Sequence, residues 1–103
     1  MPITVKDYYK GRDVQFALEL TAQIRANALS TVACVNALLA RFYLANPKAA
    51  LRTVNSGWRP PAVNRGVRRA AKRSNHLVAL ACDLDDDDEQ LDRWLLTKPA
   101  KQL

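Results

Sequence analysis

From Leu18 to Ala45 the apolar residues fall on one side of a helix. Leu20, Ile24, Ala28, Thr31, Val35, Leu38 and Phe42 recur every three or four positions, the spacing that aligns side chains in a single stripe. Asn46-Pro47 marks its end, because a proline restricts the residue before it and cannot continue the backbone ladder. So long a one-sided helix must bury its stripe against something. The chain has only 103 residues, enough for one small domain with a thin core.

The remaining segments supply the opposing surface. Leu51 to Asn55 alternates as a short strand does, and Leu77 to Leu84 is an apolar run that reads as a buried strand, or a strand with a turn in it. Between them, Ser56-Gly57-Trp58-Arg59-Pro60-Pro61 must be irregular, and residues 62–73 form a basic loop or short helix. The carboxylates of Asp85 to Asp88 suit the free N–H groups at the start of a second helix, with Leu91, Trp94 and Leu95 facing inward and Lys98-Pro99 ending it. Residues 1–17 read as an extended or irregular lead with a turn at Gly11, and residues 100–103 as a frayed tail. This order predicts an α+β domain: helices packed on a small antiparallel sheet. There are no repeats.

Charge is segregated. Residues 59–73 carry Arg59, Arg65, Arg68, Arg69, Lys72 and Arg73 with no acid, whereas 83–92 carry Asp83, Asp85, Asp86, Asp87, Asp88, Glu89 and Asp92 with no base until Arg93. The two blocks are close enough in sequence to pair in space. The net charge of +6 suits a polyanion, either nucleic acid or an anionic wall. The lack of interleaved aromatics in the basic block argues against a nucleic-acid platform. Lys48, Arg52, Lys98 and Lys101 carry no motif and read as solvated. Cys34, in an apolar helical pattern, and Cys82, in a short apolar run, read as buried free thiols, a disulfide being the alternative; neither belongs to a C-x-x-C pair, which argues against structural zinc on thiolates. No apolar run of bilayer-spanning length and no signal peptide are expected.

The only histidine is His76. It lies in Ser74-Asn75-His76-Leu77-Val78-Ala79-Leu80-Ala81-Cys82-Asp83. Imidazole and carboxylate are both ligands for Zn²⁺. Seven steps separate His76 from Asp83, which would put them roughly 23 Å apart on a straight strand or about 10 Å apart along a helix. To share one ion they need a turn between them, centred near Ala79.

This segment resembles the S-x-H-x-x-G-x-A-x-D signature of peptidase family M15, the zinc D-alanyl-D-alanine carboxypeptidases and phage peptidoglycan hydrolases. Val54-Asn55-Ser56-Gly57-Trp58-Arg59-Pro60 is similar to the family's V-x-S-G-[YW]-R-P segment. Gly11-Arg12-Asp13 is similar to a G-R-D that precedes the first helix in phage members, and the helix with Asn27 and Val35-Asn36-Ala37-Leu38-Leu39 resembles their R-x-N-A…V-N-x-L-L helix. Leu91-Asp92-Arg93-Trp94-Leu95 resembles the helix after the first metal half-site. The likeness covers most of residues 9–97. It implies a single M15-like domain over 1–103, of the hedgehog/DD-peptidase fold but lacking the family's C-terminal catalytic portion.

By that resemblance His76 and Asp83 are zinc ligands. Arg59 holds substrate charge or the oxyanion, its alternative role being a salt bridge to the acidic run. Ser74 lines the substrate pocket, its alternative being a turn hydroxyl bonded to backbone. The partner is a peptidoglycan stem peptide, and the place of action is the host cytoplasm or the wall after lysis. The family's second histidine and its general-base glutamate have no counterpart here, so the implied activity is impaired; the competing expectation is an inactive relative that binds wall or serves assembly. Ala79 stands where the family has glycine.

Overall fold

A computed structural model describes residues 2–66 and 74–97. They form a small mixed α+β domain: helices packed against a two-stranded, open antiparallel sheet. Helix α1 (Val5–Tyr9) and helix α2 (Arg12–Gln15) occupy the lead that was expected to be irregular. The signal lay in Thr4 and Asp7. The Thr4 hydroxyl accepts the Asp7 N–H while the Asp7 carboxylate accepts the Thr4 N–H at 2.9 Å, a reciprocal cap that starts a helix too short to show periodicity. These hydrogen bonds also hold the Asp7 carboxyl below its usual pKa.

The long helix α3 spans Ala22–Ala45 and is capped by Thr21, whose hydroxyl accepts the Ile24 N–H. It therefore starts later than Leu18, which is fully exposed within a 3₁₀ turn over Ala17–Glu19. Ala28, Val32, Leu39 and Phe42 are its buried residues. By length and composition α3 could cross a membrane, its mean hydropathy reaching 1.5 over 18 residues, which corrects the expectation that no apolar run approaches that length. In the domain it is the central support. Asn36 grips the backbone of Ile3 at both its N–H (2.8 Å) and its carbonyl (2.9 Å), and α1 lies between α3 and the sheet.

Strand β1 (Val54–Ser56) pairs antiparallel with β2 (Asp83–Leu84), with a register irregularity at Asn55. Most of the apolar run 77–84 is not strand. It begins as a 3₁₀ turn over Asn75–Val78, and only its last two residues pair. Helix α4 (Pro61–Arg65) realises the short helix expected after the prolines; the rest of the basic block, Arg68 to Arg73, lies outside the described residues, as do Lys98-Pro99 and the tail. Helix α5 (Gln90–Leu95) buries Leu91 and Trp94, whereas Leu95, expected inside, is 38% exposed.

Two aromatic groups fill the core. Tyr8, Tyr9 and Trp58 pack edge to face on the α1 side, with Tyr9 and Trp58 ring centres 6.2 Å apart. Phe42 and Trp94 do the same at the far end of α3, at 5.7 Å. Cys34 is exposed and Cys82 half-buried, both as free thiols. Cys34 thus corrects the expectation of burial: it sits on α3 opposite the packed stripe.

Candidate functional site

The site forms where the segment after β1 meets the turn before β2. Gly57 lets α1 pack closely against the first of these segments, because a Cβ there would collide with the Tyr8 carbonyl and ring. Trp58 follows, fully buried, its indole N–H donating to the Leu77 carbonyl at 3.1 Å. Next in the chain, the Arg59 N–H donates to the His76 carbonyl at 2.9 Å. Successive residues of one segment therefore fix successive residues of the other.

Ala79 is the hinge of the turn. It ends the 3₁₀ turn in the left-handed region, at φ 59° and ψ 36°, the conformation for which the resembled signature has glycine. An alanine there costs about 1 kcal/mol or more. The surroundings hold it in place. Thr31 donates to the Ala79 carbonyl at 2.7 Å and Asn27 to the Val78 carbonyl at 2.9 Å, both from α3. Thr31, counted in the apolar stripe, thus serves through its hydroxyl.

This turn brings the predicted ligands together: His76 Nε2 lies 3.3 Å from Asp83 Oδ2. The His76 side chain is 9% exposed and the Asp83 side chain 57%, so a buried imidazole meets a carboxylate open to solvent. On the other side of the ring, Nδ1 lies 2.8 Å from the Gly57 carbonyl oxygen. A carbonyl can only accept, so Nδ1 carries a proton. With Nδ1 donating to the carbonyl, Nε2 faces the Asp83 carboxylate, and either a proton on Nε2 or a cation bound between the two groups satisfies that contact. The carbonyl also supplies the outer hydrogen bond that orients a metal-bound imidazole. Tetrahedral zinc with bonds near 2 Å sets two ligand atoms about 3.4 Å apart, which matches the observed separation.

A third ligand is not in place. No group of three His, Cys, Asp or Glu residues able to hold a metal occurs among the described residues. The neighbouring acids are engaged elsewhere. Asp86 and Asp88 bind Arg52, each at 2.7 Å, and Asp85 accepts from the Thr53 hydroxyl at 2.7 Å. Cys82 is a poor ligand, because burial, assisted by the Asp83 charge, pushes its thiol up to about 11.

Arg59 and Ser74 join the site from the other flank. Arg59 is buried and makes no salt bridge to the acidic run. Its Nη2 lies 3.4 Å from the Ser74 hydroxyl, and its Nε is buried with no hydrogen-bond partner. The Ser74 hydroxyl also accepts the His76 N–H at 3.2 Å, so it is a turn hydroxyl bonded to backbone and an Arg59 contact at once. Arg52, read as solvated, is instead a buried hub 6% exposed. Arg12, noted only as part of a motif, reaches the site through the Trp58 carbonyl at 3.0 Å. Neither could be found from periodicity, which locates apolar faces and is silent on where a long cationic side chain ends. No protein-family model, curated protein or solved structure matches the chain.

Proposed function

We propose that the chain carries the first half of a zinc peptidase site of the M15 type, directed at peptidoglycan stem peptides, and that its hydrolytic activity is impaired. The observation that carries this reading is the convergence of His76 Nε2 and Asp83 Oδ2 at 3.3 Å, with Nδ1 held by the Gly57 carbonyl. The order of the motifs supports it, since V-N-S-G-W-R-P meets S-N-H-L-V-A-L-A-C-D in space as well as in sequence. The hedgehog/DD-peptidase arrangement belongs to the same proposal; two strands and flanking helices are compatible with it.

In this reading His76 and Asp83 hold zinc, which when bound supplies a polarising charge for the scissile carbonyl. Arg59, with Ser74 beside it, orients the substrate through its fixed guanidinium fork. Glu19 and Glu89 are the chain's glutamates; Glu89 lines the same surface hollow as Asp83, but it belongs to the acidic stretch before Trp94 and does not match the family's general-base position. Loss of a positioned base costs on the order of 10² to 10⁴ in rate, and two protein ligands define a metal poorly.

The test is release of the terminal amino acid from a stem peptide, with zinc and with chelator. Little or no turnover is expected. Robust turnover that is lost with chelator and in His76→Ala would overturn the impairment and require a third ligand from elsewhere. The missing third ligand among the described residues also favours a second reading, an inactive relative that binds wall. Co-sedimentation with purified peptidoglycan in chelator separates the two: retention without zinc supports wall binding, and retention only with zinc supports the metal site.

A further inference from the structure

Every one of the ten Asp and Glu residues lies among the described residues. Among the described residues their ion pairs go to Arg52 and His76. Arg12 and Arg59 therefore have no side-chain carboxylate, although they are held close together. Arg12 Nη1 donates to the carbonyl of Trp58, the residue before Arg59, at 3.0 Å, and to the Ser56 hydroxyl at 3.3 Å. Its Nε and Nη2 make no hydrogen bond among the described residues. Arg59 has its Nε buried without a partner and a single long contact to Ser74. Burial, followed by the Arg59 charge, lowers the Arg12 pKa, as expected for two cations confined side by side.

We propose that Arg12 and Arg59 together form a carboxylate-binding site next to His76, which receives the free C-terminal carboxylate of a peptide. Two like charges in partial burial with unused N–H groups are unfavourable alone and favourable around an anion. A carboxylate is the anion whose planar pair of oxygens matches the fork of a guanidinium. Arg12 and Ser74 are half-buried, which leaves the cluster open to solvent. Arg12 is in this account a specificity residue for the site under Proposed function. The proposal rests on that reading only for the identity of the ligand.

The probe is acetyl-D-alanyl-D-alanine, compared with its C-terminal amide and with inorganic phosphate, all in chelator so that metal binding and hydrolysis play no part. The readout is the side-chain Nε–Hε signals of Arg12 and Arg59 in the wild-type chain, which needs no variant to fold. Both signals should shift saturably with the free acid and not with the amide. Arg12→Lys should weaken binding about tenfold by losing the fork, while Arg41→Gln, a charge change on exposed α3 surface, should leave it unchanged. The proposal is overturned if Arg59 alone responds, if the amide acts like the acid, or if phosphate binds better than the carboxylate. An intact response to the acid in a protein whose His76 signal is unmoved by zinc would sink only the zinc-site reading.

Discussion

Arg52 and Arg59 stand seven residues apart, are both buried, and are treated in opposite ways. Arg52 uses its whole guanidinium. It binds Asp86 at 2.7 Å and Asp88 at 2.7 and 3.2 Å, donates twice to the Ala50 carbonyl, and lies over the Phe42 ring at 5.6 Å. The same two aspartates accept the N–H groups of Gln90, Leu91 and Asp92 at the start of α5. One arginine thus ties β1 and α3 to α5. Arg59 has an orphaned Nε and a long contact to a serine. A fully matched cation contributes to the fold, and an under-matched one is held ready for a ligand. From the acidic run, expected either to pair with the basic block or to serve as a spare ligand source, Asp86 and Asp88 are committed to Arg52.

The largest difference should appear in stability. Arg52→Met leaves Asp86 and Asp88 without their cation and should cost about 2–3 kcal/mol, below the figure for a fully buried pair because both carboxylates reach solvent. Arg59→Met should cost under about 1 kcal/mol or be stabilising, since it removes an unsatisfied buried group. Urea melts of the two variants measure this directly, and equal losses would break the comparison.

Acid should then separate the same regions. Asp88 is lowered to about 2, first by the hydrogen bond from Arg52 and then by the Gln90 N–H. At Asp86 burial pulls upward, but the Asp92 and Leu91 N–H groups and Arg52 outweigh it and leave the pKa lowered. Both folded pKa values lie below the unfolded one. Their contribution is therefore complete above the ordinary carboxylate range and is lost as pH falls through the folded values. The melting temperature should drop between about pH 4 and pH 2, and Arg52→Met should flatten that drop. A variant with the wild-type acid slope would remove Arg52 as the cause.

The smallest effect belongs to the turn. Ala79→Gly relieves the left-handed strain and should stabilise by about 0.5–1 kcal/mol, with part of the gain lost to the greater freedom of an unfolded glycine. A destabilised Ala79→Gly protein would show that the Thr31 and Asn27 hydrogen bonds, together with packing around the Ala79 methyl, already outweigh the strain.

The sequence made the long helix, the presence of a small antiparallel sheet and the Trp94 face legible, because each depends on apolar spacing or turn residues; the strands expected at 51–55 and 77–84 shrink to Val54–Ser56 and Asp83–Leu84. It also made the meeting of His76 and Asp83 legible, since their separation left a turn near Ala79 as the only way to join them. Helices α1 and α2 were not legible, being shorter than a reliable period. The start of α5 was half legible: the aspartates do satisfy its N–H groups, but from a loop in which Glu89 takes a left-handed conformation. The fates of Arg12 and Arg52 were hidden for another reason. Arg52, in a motif-free position, reads as solvated until the fold shows which acids it can reach, and the motif that holds Arg12 does not say where its side chain ends.

The claim most worth testing is that His76 Nε2 and Asp83 form a cation site. With one histidine in the chain, its side-chain nitrogen signals are unambiguous. At mildly alkaline pH, nitrogen-15 NMR should show Nδ1 protonated and Nε2 bare, with Nε2 shifting when zinc is added and the response weakening in Asp83→Asn. A proton on Nε2 with Nδ1 bare, or an Nε2 signal that zinc leaves unmoved, would contradict the account.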